Sequence, residues 1–115
     1  MNPTTTPALP AHSAELLAQV RADLQSHPGR LILLDLWAPW CAPCMRLSPV
    51  IDEVAEVLGD RLVVRKVDVG DAINVAIELD AKSIPALLLY RDGREIGRLP
   101  QRTKQALVEA IEPLL

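Results

Sequence analysis

The sequence is short of cysteine, of aromatic residues and of surplus positive charge, and each shortage excludes a class of protein. Its 115 residues include two cysteines, too few for a disulfide-stapled scaffold, and no phenylalanine. Acidic residues outnumber basic ones, 15 to 12, so no broad basic face is expected for nucleic acid. Apolar runs such as Leu31–Leu34 are far shorter than the roughly 18 residues of a membrane helix.

The remaining composition is that of one globular domain. Half of the residues are hydrophobic. A chain of this length buries about two-thirds of its unfolded surface, which allows a core without disulfide bonds.

Residues 1–12 differ from the rest of the chain. They lack the basic and apolar stretches of a secretory signal and the arginines of a transit peptide. Three prolines among the first ten residues predict a flexible N-terminal arm over 1–12, followed by a single domain over 13–115. Without a targeting signal the expected location is cytoplasmic, where a lone disulfide is more often catalytic than structural.

Apolar periodicity predicts alternating helices and strands. Ser13 is placed to cap a helix that runs to about Ser26, and Leu31–Trp37 reads as a strand buried on both faces. The other predicted elements are helices over 44–58 and 71–79, strands over 62–69, 86–90 and 95–99, and a helix capped by Thr103. This order indicates a parallel βαβ half and an antiparallel hairpin in one mixed sheet with helices on both faces.

Both cysteines lie where the central strand gives way to a helix. Cys41 is expected at the helix N-terminus, where free N–H groups and the helix dipole favour a thiolate. Cys44 follows one turn later, close enough to attack a disulfide formed on Cys41. The spacing therefore predicts a nucleophile and a resolving thiol, with Cys41 the more exposed of the two.

Two other interpretations of the cysteine pair remain open. Zinc needs four ligands, and only His12 and His27 could join the cysteines, at unsuitable spacing. The pair could also be two inert core thiols, since free cysteines are often buried. The position between a strand and a helix favours redox chemistry over both, so no metal site is predicted.

Asp35 interrupts the buried strand. An ionised carboxylate there, without a partner, should cost several kcal/mol. Burial should raise its pKa toward neutrality, where it could exchange a proton. The alternative is that Asp35 faces solvent at a sheet edge, which its apolar neighbours disfavour.

Three segments, in order and at similar spacing, resemble the thioredoxin family. They read Leu-Asp-Leu-Trp-Ala-Pro-Trp-Cys-Ala-Pro-Cys at 34–44, Val-Arg-Lys-Val-Asp at 64–68, and Ser-Ile-Pro-Ala-Leu-Leu-Leu-Tyr-Arg-Asp-Gly at 83–93. The resemblance covers about residues 30 to 115. It implies an α/β thioredoxin-like fold, with a central mixed four- or five-stranded sheet flanked by helices on both faces. It also implies a thiol–disulfide oxidoreductase that reduces protein disulfides.

The resemblance also implies roles for individual residues. Cys41 matches the nucleophile and Cys44 the resolving thiol. Asp35 matches the aspartate that accepts a proton from the second cysteine, and Lys66 the lysine that approaches this aspartate. A strand lysine pointing to solvent is the alternative for Lys66.

The segment around Pro85 matches the family's cis-proline loop beside the cysteines. A cis bond there would leave the backbone of Ile84 free to pair with an extended client. The implied docking patch consists of Trp40, Ala42, Pro43 and Ile84. Trp37 is expected to pack in the core beneath the site. Ordinary core packing is also the alternative to a docking role for Trp40.

The sequence departs from the family at several places. Ala42 stands where many members have glycine, and no cation separates the cysteines, which favours a reductant over an oxidase or isomerase. The proline-rich start predicts that the family's first strand is missing, which would leave four strands. Pro100 stands where members place a groove glycine, which bears on client range and on recognition by thioredoxin reductase.

The sequence thus predicts a monomeric reductant without a bound cofactor, which works through a redox-active Cys41–Cys44 disulfide. Its expected partners are disulfide-containing client proteins and thioredoxin reductase with NADPH. A thioredoxin-fold binding or chaperone-like module with a specialised client range is the alternative.

Overall fold

The computed structural model describes residues 9–115, so the arm predicted over 1–12 lies mostly outside the described residues. The helices are α1 (Ala11–Leu24), α2 (Ala42–Leu58), α3 (Ile73–Glu78) and α4 (Lys104–Ile111). The strands are β1 (Leu31–Trp37), β2 (Leu62–Asp68), β3 (Ala86–Arg91) and β4 (Arg94–Arg98). No helix within 9–115 is both long enough and apolar enough to cross a membrane.

The four strands form one mixed sheet in the order β2-β1-β3-β4. β1 is parallel to β2 and antiparallel to β3, and β4 returns antiparallel beside β3. The predicted parallel half and antiparallel hairpin are confirmed, and the four strands within residues 9–115 fit the expected four or five. Because β1 is flanked by a strand on each side and covered on both faces, its side chains are almost all buried.

The two faces of β1 contribute to separate core clusters. Successive side chains of a strand point to opposite faces, so Ile32 and Leu34 face one way and Leu31 and Leu33 the other. Ile32 and Leu34 pack with residues of α1 and α3. Leu31 and Leu33 pack with residues of α2 and α4. Helices therefore cover both faces, as expected. Asp35 lies on the same face of β1 as Leu31 and Leu33.

Helix α2 begins at Ala42, two residues earlier than its apolar pattern predicted. Pro43 lies in the first turn, where its missing N–H has no helical acceptor to lose. Gly59 ends the helix with φ of 59°, a left-handed value that favours glycine. The early start puts Cys41 at the N-cap.

The predicted cap of α1 is wrong. The helix begins at Ala11 with Pro10 at the N-cap, and Ser13 is a buried residue of the first turn. Two contacts explain the earlier start. The Ala14 N–H donates to the Pro10 carbonyl at 2.9 Å, and the His12 ring lies 2.6 Å from the Asp71 carbonyl oxygen, beside α3.

Candidate active site

The two cysteines form a disulfide at the junction between β1 and α2. Their Cα atoms lie 5.2 Å apart. The Cys41 N–H donates to the Ala38 carbonyl at 3.1 Å, and the Cys44 N–H donates to Cys41 Sγ at 3.3 Å. Cys41 is thus the N-cap of α2. Its sulfur accepts a hydrogen bond from one of the N–H groups that have no acceptor within the helix. An anionic sulfur at this position is stabilised by the same N–H group and by the helix dipole.

The two cysteines differ in accessibility in the predicted direction. Cys41 is 7% exposed and Cys44 is 2% exposed. Both pack with Ala38, and Trp37 and Ile84 lie against this small cluster. A client disulfide would therefore meet Cys41 first.

The peptide bond between Ile84 and Pro85 is cis, as expected from the resemblance. The Ile84 carbonyl oxygen lies 3.8 Å from Cys41 Sγ. The loop between α3 and β3 therefore faces the nucleophilic sulfur.

The predicted docking patch lies on the surface around Cys41. Trp40 is 64% exposed, Ala42 and Pro43 are exposed, and Ile84 is half-buried. The Trp40 indole Nε1 donates to the Gly70 carbonyl at 3.3 Å, which holds the ring beside the site. The core-packing alternative is therefore wrong for Trp40, whereas Trp37 does pack against the cysteines.

Gly70 was not singled out from the sequence. A Cβ atom at this position would lie 3.1 Å from Trp40 Nε1 and 3.0 Å from Asp68 Oδ1. Either contact is tighter than ordinary packing, so a larger residue would displace the indole. A single glycine after a strand carries no signal of this role, since the constraint comes from a loop thirty positions away in the chain.

Asp35 is buried in the central strand and has an unusual pKa. The residue is 2% exposed, and Oδ1 has no hydrogen-bond partner within residues 9–115. Burial raises the pKa of Asp35 to about 6, against the opposing positive charges of Lys66 and Arg102. The solvent-facing alternative is wrong. By the alternation of strand side chains, Asp35 lies on the face of β1 whose Leu31 and Leu33 pack against α2, and α2 carries the buried Cys44.

Lys66 pairs with Asp35 in the register of β1 and β2. Its ammonium group is held by α2: Nζ donates to Ser48 Oγ at 2.8 Å and to Asp52 Oδ1 at 2.6 Å. The lysine therefore neither points freely into solvent nor hydrogen-bonds Asp35. It acts on Asp35 through charge alone, by lowering the pKa of that carboxyl group.

Arg102 is a further residue of the site that sequence reasoning missed. Its guanidinium donates to the carbonyls of Leu99 and Gln101, both at 2.8 Å, and to that of Pro85 at 3.4 Å. It thereby ties the loop before α4 to the cis-proline loop. Nothing in the local sequence indicates this, because the contact with Pro85 spans 17 positions.

A groove of about 400 Å³ opens between α2 and the cis-proline loop. We call it the client groove, and it is lined by Pro43, Arg46, Leu47, Ser83, Ile84, Pro85 and Arg102. Pro100 lines a second cavity of about 580 Å³, which shares Ser83, Pro85 and Arg102 with the client groove. The two arginines give the client groove a polar rim beside its apolar lining.

The two histidines are engaged away from the cysteines. His12 contacts the Asp71 carbonyl, and His27 lies 3.3 Å from Asp23 Oδ1 and 3.1 Å from an Arg65 nitrogen. Within 9–115 no group of three or more His, Cys, Asp or Glu side chains is arranged to hold a metal ion.

Comparison with known proteins agrees with this geometry. The thioredoxin family model matches residues 15–113. Thioredoxin from Bacillus subtilis is 38% identical over 100 residues, which cover 80% of this chain and 96% of that protein. Thioredoxin 1 from Synechococcus elongatus is 38% identical over 76 residues, which cover 63% of this chain and 71% of that protein.

Solved thioredoxin structures share the fold. The Fasciola hepatica protein superposes with a TM-score of 0.73 at 27% identity, covering 84% of this chain and 91% of the other. A mutant thioredoxin from Halobacterium salinarum gives 0.67 at 30% identity, covering 79% of each chain.

Proposed function

The chain belongs to the thioredoxin family, and from that premise we propose how its own residues carry out thiol–disulfide exchange. It is a thiol–disulfide oxidoreductase with a redox-active Cys41–Cys44 disulfide. The observation that carries the proposal is the position of Cys41 at the N-cap of α2, one turn before the buried Cys44.

In the first step the Cys41 thiolate attacks a client disulfide. A bond forms between Cys41 Sγ and one client sulfur, the client S–S bond breaks, and the second client sulfur leaves as a thiolate. The Cys44 N–H and the α2 dipole stabilise the attacking anion. The client lies extended along the cis-proline loop and pairs with the Ile84 backbone, against the docking patch.

In the second step Cys44 resolves the mixed disulfide. Its thiolate attacks Cys41 Sγ, which forms the Cys41–Cys44 disulfide and releases the client's remaining sulfur as a thiolate. The client gains two electrons and the protein loses two. Asp35 accepts the proton of Cys44, since Asp35 lies on the face of β1 that α2 covers, α2 carries Cys44, and a pKa of about 6 suits proton exchange near neutrality.

Lys66 serves as a positioning residue in this scheme. Its charge limits the rise in the pKa of Asp35, while Ser48 and Asp52 fix the ammonium in place. Lys66 takes no part in the proton transfer itself, which runs from Cys44 to Asp35.

The partners follow from the same chemistry. The clients are disulfide-containing proteins, and thioredoxin reductase with NADPH returns the Cys41–Cys44 disulfide to the dithiol. The protein works as a cytoplasmic monomer without a bound cofactor. A cysteine motif with no cation between its thiols supports this assignment, because it favours a reductant, and the cytoplasm keeps thiols reduced.

Reduction of insulin disulfides tests the proposal, with either dithiothreitol or thioredoxin reductase and NADPH as the electron source. We expect activity in both arms, none for Cys41→Ser, and a trapped mixed disulfide for Cys44→Ser. Activity with dithiothreitol alone would contradict the reductase as partner. Inactivity in both arms would contradict the function and favour the binding module.

A further inference from the structure

The client groove carries two positive charges that form no salt bridge within the described chain. Arg46 and Arg102 both line it, beside the cis-proline loop. Arg102 bonds only to backbone carbonyls, and among residues 9–115 neither guanidinium takes part in an ion pair. Two cations without a salt bridge therefore line a groove whose cis-proline loop contacts the nucleophilic sulfur.

Some cations elsewhere in residues 9–115 are ion-paired, while others, Arg30 and Arg94 among them, are not. Arg98 pairs with Glu95 at 2.9 Å, Lys66 with Asp52 at 2.6 Å, and Arg65 with Asp23 at 2.7 Å. The chain as a whole carries a formal charge of −3. The groove is therefore a local positive site on a protein of net negative charge. Its electrostatic potential differs in sign from what the net charge suggests.

Arg102 is also held in place before any client arrives. Its bonds to Leu99, Gln101 and Pro85 use only part of its five N–H donors. A guanidinium restrained in this way loses less side-chain entropy on binding a carboxylate, and such charge-assisted hydrogen bonds are among the stronger ones.

We propose that Arg46 and Arg102 make this protein select client disulfides that are flanked by acidic residues. The occupant of the client groove is an extended acidic segment of a client protein. The selection deepens the proposed function and rests on it. Because both arginines lie at an exposed rim, their charge acts mainly on the rate of association and weakens with salt.

The test is a single-turnover reaction with three peptides that share one cystine loop and differ in flanking residues: Asp, Gln or Lys. The protein is reduced beforehand and the reductant removed, so each peptide disulfide reduced yields one Cys41–Cys44 disulfide. We expect the Asp peptide to react roughly tenfold faster than the Lys peptide, the lower end of electrostatic steering. Raising the salt from about 0.01 M to about 1 M should remove most of this ratio.

The double variant Arg46→Gln, Arg102→Gln should bring the Asp-to-Lys rate ratio close to one. Its matched control is Arg30→Gln, Arg94→Gln, which changes the net charge equally. Arg30 precedes β1 and Arg94 opens β4, at the end of the sheet opposite Cys41. The control should keep the wild-type ratio.

Loss of Arg102 also removes a charge that acts on Asp35, but that change affects all three peptides alike and cancels in the ratio. The Arg46 side chain forms no hydrogen bond to another of residues 9–115, so Arg46→Glu should fold normally. With Arg102 retained the two groove charges then cancel, and the preference should be lost. An unchanged ratio in the double variant, or an equal loss in the control, would overturn the inference. Failure to reduce even the Gln peptide would instead contradict the proposed function.

Discussion

Asp35 and Asp23 are the same residue type under opposite physical conditions. Asp23, at the end of α1, is partly exposed, and its carboxylate accepts a hydrogen bond from Arg65 Nε at 2.7 Å. Burial is the largest single influence and raises its pKa, but the contacts with His27 and Arg65 together outweigh it and leave the pKa of Asp23 below its usual value. Asp35 is buried, its Oδ1 has no partner within 9–115, and its pKa is raised to about 6.

The difference separates a carboxylate that stabilises the fold from one that is available for chemistry. A group with a lowered acid pKa contributes stability above its unfolded pKa and loses it as the pH falls. A carboxyl group with a raised pKa lowers stability as the pH rises, since the folded state must then hold the charge in a buried environment. Asp23 therefore holds α1 against β2. Asp35, the proposed proton acceptor for Cys44, lowers stability near neutrality.

The largest effect that should sharpen this comparison is on resolution of the mixed disulfide. Asp35→Asn removes the proposed proton acceptor for Cys44, and loss of a general base typically costs on the order of 10²-fold or more. Rapid-quench measurement of client release at pH 7 should show this, with formation of the mixed disulfide little changed. Equal release rates in wild type and variant would remove Asp35 from the mechanism.

The second effect is on the pH dependence of stability. Between pH 3.8 and about 6 the folded state retains a proton on Asp35 that the unfolded state has released. Wild-type stability should therefore fall, relative to oxidised Asp35→Asn, as the pH rises through this window.

Above the window the variant should be more stable by up to about 3 kcal/mol, since one pKa unit corresponds to about 1.4 kcal/mol. Urea unfolding of both oxidised proteins at pH 4 and pH 8 measures the difference. A difference that does not grow with pH would mean that the carboxyl group is not desolvated.

A third, smaller effect should appear when the paired aspartate is changed. Asp23→Asn should destabilise the protein by about 1 kcal/mol, the upper range for exposed ion pairs, and leave disulfide reduction unaffected. Its stability deficit should shrink as the pH falls through the range in which Asp23 takes up a proton. Urea unfolding and the insulin assay check the two parts; loss of activity would undo the distinction between the two aspartates.

The smallest effect concerns Lys66. Replacing it by Met removes a positive charge that lowers the pKa of Asp35, so the pH profile of client release should move upward. The rate at pH 7 should change by at most about fivefold, because a partly exposed charge contributes no more than about 1 kcal/mol. Lys66→Arg keeps the charge and should keep the wild-type profile. An upward shift of the pH profile in Lys66→Arg as well would mean that the pKa of Asp35 depends on the shape of the residue at position 66 and not on its charge.

Local patterns predicted the elements around the site well. The apolar run of β1, the cysteine spacing at the start of α2 and the cap at Thr103 each depend on residues close in the chain, and the structure has all three. The burial of Asp35 was also predictable, because its apolar neighbours on both sides leave it no exposed face. The start of α1 was not, because Ser13 is a good cap by residue type while its burial was not visible locally.

The residues that sequence reasoning missed act across long separations. Asp52 reaches Lys66 from α2, Gly70 supports Trp40 from the loop after β2, and Arg102 reaches the Pro85 carbonyl from the loop before α4. Each contact depends on where two elements meet in space. Periodicity and motif spacing describe single elements, so they carry no information on such pairs.

The four-stranded sheet leaves β2 as an edge strand within the described part of the chain. Unpaired edges are templates on which other chains can add strands and aggregate, and charged side chains hinder this. β2 carries Arg65 and Lys66 side by side, and because successive side chains point to opposite faces, one pairs with Asp23 of α1 and the other with Asp52 of α2. A chain that added to this edge would have to accommodate both charged pairs, which disfavours self-association through β2.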